Sequence, residues 1–215
     1  MWENLKNGRS YYSQNGEDVV LKQIFKNTKD GFYIDIGAHH PKKYSNTYLL
    51  YKDGWSGMNI DANYESIKQF KKQRPNDINL NIGVGDTSNV LTFYRFADPA
   101  VNTFSKEQAN YWINHKKWNK YLGSVEIEVK NINTILNKKL TKHKKINLLS
   151  IDVEGLDEQI IKSLDFNIYK PEVIVIEDHN FNQACPEHSS IYNFLITKNY
   201  RLHCNLDFSL IFQLK

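Results

Sequence analysis

The sequence predicts an α/β fold on an open, largely parallel sheet, and three observations carry that prediction. β-Type runs at Phe32–Ile36, Gly57–Asp61 and Ile78–Ile82 alternate with helical stretches long enough for right-handed crossovers. Two further apolar runs, Ile146–Asp152 and Glu172–Glu177, read as parallel strands four and five. The chain then closes on Tyr200–Cys204 and Phe208–Gln213, which pattern as an antiparallel hairpin.

Each element has a local reason. Tyr12–Asn27 carries an apolar helical stripe of Val20, Leu21, Ile24 and Phe25, with Ser13 or Asn15 as cap and Glu17 and Asp18 suited to the positive first turn. Ser45, Asn46 and Thr47 open a second helix, Thr47–Lys52, which stops near Gly54. Asn63 caps Tyr64–Arg74, and Pro75 ends it. Gly83 and Gly85 close the third strand. The rhythm then breaks: Val90–Phe96 and Val125–Lys130 alternate as an inserted antiparallel pair, with Ala97–Ser124 between them on a weakly helical stretch. Ile132–Leu140 and Ser189–Asn199 are further helices.

A chain of 215 residues, 40% hydrophobic and 13% aromatic, suits one globular domain over 1–215, with the insertion at about 86–130 as a candidate lid. Its +4 charge is spread along the sequence, whereas a nucleic-acid footprint concentrates on one face. The basic runs Lys68–Arg74, Lys116–Lys120 and Lys138–Lys145 read as solvated helix faces. Cys185 and Cys204 are too few for a disulfide framework or a zinc site, so free thiols in a reducing compartment are expected. Met1–Ser10 lacks the apolar core of a signal peptide, and no run approaches the ~20 apolar residues of a membrane span. A soluble, cytoplasmic protein follows.

The chemistry gathers at strand ends. Asp35, Asp61, Asp152 and the Glu177–Asp178 pair all sit where a predicted parallel strand runs out, and open α/β sheets bind ligands beyond those ends. Gly37 turns the chain after strand one and admits close approach of a ligand. His39, His40 and Pro41 occupy the places where a dinucleotide fingerprint needs glycines. Asp61 suits a pair of ribose hydroxyls. Asp152 and Glu154, two apart, point to one side of extended backbone. With Glu177 or Asp178 they would form a set of hard oxygen ligands for Mg²⁺, Mn²⁺ or Ca²⁺. The competing reading makes Asp152 and Asp178 caps of the following turns.

Five segments together, Tyr12–Asp18, Ile34–His39, Ser45–Thr47, Gly54–Asp61 and Ser150–Gly155, resemble the FkbM family of S-adenosylmethionine-dependent O-methyltransferases, from about Tyr11 to about Phe212. The resemblance implies a class I methyltransferase fold: a seven-stranded, mostly parallel sheet with helices on both faces and a terminal antiparallel hairpin. It implies a cofactor site at Asp35, Gly37, His39, Asp61, Ala62, Asn63, Asn81 and Gly83, with Ser13, Gln14, Asn46 and Thr47 near the methionine end. It aims Asp152 and Glu154 at the acceptor. It also likens Glu177–Asp178 to half of the metal site of catechol-type and macrocin-type enzymes.

The function expected is methyl transfer to a hydroxyl, on a nucleotide-linked sugar or a surface glycan. Glu154 is the expected base and His179 its rival; Asp152, Glu177 and Asp178 are the expected metal ligands. Phe104, Tyr111, Trp112 and Trp118 are candidates to stack on sugar or to fill core. An NAD-dependent oxidoreductase, a non-catalytic sugar- or nucleotide-binding module and a nucleic-acid methyltransferase are the competing classes.

Overall fold

The computed structural model describes residues 10–116, 118–141 and 144–215. The reading of Met1–Ser10 therefore lies outside the described residues except at Ser10, as do Lys117 and Lys142 of the basic runs.

The strands of the main sheet are β1 (Phe32–Ile36), β2 (Ser56–Asp61), β3 (Ile78–Asn81), β7 (Leu148–Ile151), β8 (Val173–Glu177), β9 (Tyr200–Leu206) and β10 (Ser209–Leu214). They lie in the order β3-β2-β1-β7-β8-β10-β9. The first five are parallel, while β10 runs antiparallel to both β8 and β9. Every residue of β1 is buried, as a central parallel strand covered on both faces must be. Phe32, Ile34 and Ile36 face the core shared with α5 (Ile132–Lys139), α6 (Asp157–Ser163) and α7 (Ser190–Thr197). Tyr33 faces the opposite core, with α1 (Glu17–Ile24) and α2 (Tyr48–Lys52). The strand's two-residue period thus divides the helices between two layers.

The insertion is more than a strand pair. β5 (Asn89–Phe96) and β6 (Tyr121–Asn131) are antiparallel as expected, but β4 (Gly83–Gly85) joins β6 in parallel to give a second, three-stranded sheet. The two glycines read as the end of strand three are thus a short strand of their own. Between β5 and β6 lies α4 (Lys106–His115), capped by Ser105, whose hydroxyl accepts from Gln108 N at 3.2 Å.

Two helix boundaries differ from the sequence reading. α1 begins at Glu17 rather than Tyr12 because Gly16 is left-handed, with φ 93°. Ahead of it, the Asp18 carboxylate accepts from Tyr12 N at 2.7 Å and the Ser13 hydroxyl at 2.8 Å, folding the segment into a turn. Asp152 does not cap α6. That helix starts two residues past Gly155, and Asp157 accepts from the Val153 and Gly155 amides at 3.1 Å each.

Candidate active site

The turn after β1 is where the main sheet meets the insertion. Gly37 has φ 77°, and its amide donates to Ile60 O at 2.9 Å. The space a Cβ would need is taken by the carbonyl of Asp152. The glycine is therefore required first by the approach of β7 to β1, and only then by any ligand, which corrects the reason the sequence suggested. His39 follows, also left-handed at φ 52°, and its amide donates to Asp61 Oδ2 at 2.7 Å. The other carboxylate oxygen of Asp61 accepts from Asn63 N at 2.7 Å. One acid thus fixes the turns after both β1 and β2. Two donors leave Asp61 with lone pairs to spare, and burial lifts its pKa to about 6.

A cleft opens over these turns. Gly37, His39, Asp61, Ala62, Gly83, Asp152 and Glu154, all expected from sequence, lie along it. So do Pro99, Ala100, Asn102 and Phe104 of the insertion. Asn81 ties the rim: its amide donates to Asp61 O at 3.0 Å and Ala62 O at 2.9 Å. Asn63 is the N-cap of α3 (Tyr64–Gln73), accepting from Glu65 N at 3.1 Å.

Past the end of β7, Glu154 comes close to Glu177, the last residue of β8. Glu154, left-handed at φ 56°, is pinned by Thr103 of the insertion, whose hydroxyl donates to Glu154 O at 2.6 Å. Burial and then the Glu177 carboxylate raise the Glu154 pKa to about 8, opposed by His179. The carboxylate oxygens of Glu154 and Glu177 and a ring nitrogen of His179 lie within 4.8 Å of one another. His179 Nε2 is 3.1 Å from Glu177 Oε2, an ion-pair distance. Its N–H is not aimed for a hydrogen bond, so that buried oxygen has no hydrogen-bond partner among the described residues. The pairing with Glu177 raises the His179 pKa, which favours the protonated ring and leaves less of it free to accept a proton. Asp152 is pushed up by its place in the floor of the cleft, then by Glu177 and Glu154. The residue as a whole is exposed, and solvent around it screens that effect.

Several expected site residues lie elsewhere. Asp35 points to the opposite face of the sheet from Ile36. It is buried, accepts from Thr47 Oγ1 at 2.7 Å, and is raised in pKa by burial. Thr47 in turn accepts from the wholly buried Arg74 at 2.8 Å. Asn46 donates to Ser150 Oγ at 3.1 Å on that same face. Ser13 is occupied with Asp18, and Gln14 is exposed. None of these five lines the cleft.

Asp178 is a structural residue and not part of the acidic group that could take a cation. Its oxygens accept from Ser189 Oγ at 2.6 Å and Asn180 N at 2.9 Å, and Ser189 caps α7. Asp178→Ala is expected to cost about 1–2 kcal/mol in urea unfolding, for a buried pair of hydrogen bonds, and to leave ligand binding at the cleft unchanged.

The sequence marked the insertion as a candidate lid and named Phe104, but not which turn it meets, because β5 and β6 carry no sign of that. Thr103 and Ser105 are the nearest to a signal: a cap at the start of α4 implies a helix whose first turn has to be placed against something. Beside the Asp61 carboxylate, Ile60, Ile82, Val84, Phe93 and Phe104 give the cleft apolar walls.

No curated relative matches the chain. Residues 35–202 match the methyltransferase FkbM domain, a span that holds every strand end just described except the final hairpin. By that match the chain belongs to the FkbM methyltransferase family.

Proposed function

We propose that the protein is an S-adenosylmethionine-dependent O-methyltransferase acting on a sugar hydroxyl, with Glu154 as general base. The observation that supports this reading best is that Asp61 and Glu154 line one cleft, with Glu177 and His179 grouped about the Glu154 carboxylate. When bound, the cofactor supplies a methyl group already made electrophilic by its sulfonium. The residues of the chain have two tasks: to align the acceptor and to take its proton. Alignment can supply ~7–11 kcal/mol of the barrier.

Asp61 holds the ribose diol through the lone pairs its two amide donors leave free. Ala62 and Gly83 flank the base between the apolar walls. Glu154 takes the hydroxyl proton; its pKa near 8 makes it a stronger base than an ordinary carboxylate once ionised. Glu177 keeps that pKa high, and His179 balances the charge. The insertion, pinned by Thr103, excludes water.

Glu154, Glu177 and His179 are also the side chains that could take a divalent cation, Mg²⁺ among them, in place of the expected Asp152, Glu177 and Asp178. Exhaustive dialysis against a chelator separates the roles: turnover that survives it leaves Glu154 as a base alone.

The test is calorimetry with S-adenosylhomocysteine. Binding by the wild type is expected, with NAD giving no heat. Asp61→Ala is expected to weaken S-adenosylhomocysteine about 10–100-fold, the loss of a bidentate charged acceptor. No binding by the wild type would sink the proposal.

A further inference from the structure

The turn that lines the cleft with His39 continues directly into a shallow groove on the molecular surface, lined by Tyr11, Tyr12, His40, Lys42, Lys43 and Tyr44. The two hollows are joined by an aromatic contact. The ring of His39, in the cleft, stacks on that of Tyr44, in the groove, at 6.2 Å and 19°.

The groove carries cations without counter-charges. Lys42, Lys43 and the neighbouring Lys52 are exposed, and none pairs with a carboxylate among the described residues. The nearby Asp53 is taken by Lys22 at 3.0 Å. Instead the ammonium groups lie over tyrosines: Lys42 is 5.6 Å from the Tyr12 ring centre, Lys52 5.3 Å from the same ring, and Lys43 4.5 Å from Tyr44. Ring faces soften the repulsion among three cations but do not neutralise it.

The groove is also held rigid. His40 Nδ1 accepts from the amides of Lys42 and Lys43 at 3.0 and 2.9 Å, and Arg74 underneath donates to Pro41 O and to Ser45 Oγ. Tyr44 is left-handed at φ 57° and nearly half exposed, an uncommon backbone state for a bulky residue. A strained turn that presents an aromatic face and two uncompensated ammonium groups beside the cleft is built to receive something flat-faced and negative.

We infer that the acceptor is an anionic saccharide, its phosphate or carboxylate held by Lys42, Lys43 and Lys52 and its sugar face laid on Tyr44, which presents a hydroxyl to the cleft. This rests on the methyltransferase reading above. Lysine serves either anion as a point charge, so the groove names the charge and the ring rather than the source of the charge.

The experiment uses protein saturated with S-adenosylhomocysteine and titrates glucose 1-phosphate, UDP-glucose, glucuronate and neutral glucose by calorimetry, at low and high salt. The phosphorylated sugars or the uronate are expected to bind at least ~10-fold tighter than glucose, with affinity falling as salt rises. Whichever anion binds tighter names the source. The double variant Lys42→Gln/Lys43→Gln is expected to lose about 10-fold of that affinity while keeping its S-adenosylhomocysteine affinity and melting temperature. Equal binding of glucose, salt-independent binding, an unchanged double variant, or no sugar binding at all would overturn the inference with the cofactor reading intact. Failure of the wild type to bind S-adenosylhomocysteine, read in its own titration, overturns the reading underneath it.

Discussion

Gly37→Ala is expected to destabilise the protein by at least about 4 kcal/mol, at the edge of what single substitutions do. Two effects add. An L-residue at φ 77° carries a left-handed penalty of ~1–2 kcal/mol. The larger cost is steric, because the new Cβ would fall on the Asp152 carbonyl. Neither side can yield cheaply. Gly37 N is bonded to Ile60 O at 2.9 Å and Asp152 N to Ile36 O at 3.0 Å, so moving either one unzips the C-terminal end of β1 from a neighbouring strand. Urea unfolding measures the loss, and a variant within about 1 kcal/mol of wild type would show that β1 and β7 do not meet as described.

Glu154→Gln is expected to lower turnover ~10²–10⁴-fold while leaving S-adenosylhomocysteine affinity unchanged. The pH profile sharpens the test. A base with a pKa near 8 works only when ionised, so the wild-type rate should climb as pH rises through about 8, and the Gln variant should lack that limb. Stability should respond in the opposite sense. Glu154 is raised in the fold above its ordinary value, so its stabilising contribution is complete below the unfolded carboxylate pKa and is lost as pH rises through about 8. The Gln variant carries no such loss. It should match wild type near pH 4 and exceed it above pH 8, by on the order of 1–3 kcal/mol once solvent in the cleft is allowed for. A variant that keeps its rate, or a wild-type profile flat through pH 8, removes Glu154 as the base.

These two residues also show how far the sequence could be read. Gly37 was visible as a turn, yet the partner that makes it irreplaceable lies 115 residues on, at Asp152, and no local pattern announces that. Glu154 was visible as an acid two residues past another acid. What raises its pKa is burial first and then Glu177 of β8, both settled by strand order and packing. Asp35 lies away from the cleft for a related reason. An acid at a strand end has two faces available, and the two-residue period that aims Ile36 toward the cleft core sends Asp35 to the other side, onto Thr47 and Arg74. Asp178 went to a cap because Ser189 was folded back to it from the far side of a loop.

The sequence by itself determined the parallel α/β core, the closing hairpin, the place of Asp61 at the end of β2 and the presence of an insertion. These follow from hydrophobic period, turn residues and caps, which act over a few residues at a time. Only the tertiary structure decided which acids share the cleft, that Gly83–Gly85 belongs to a second sheet, and that the insertion closes over Glu154 through Thr103. Those depend on which strands become neighbours, and strand adjacency is set by the burial of whole faces rather than by any local run of residues.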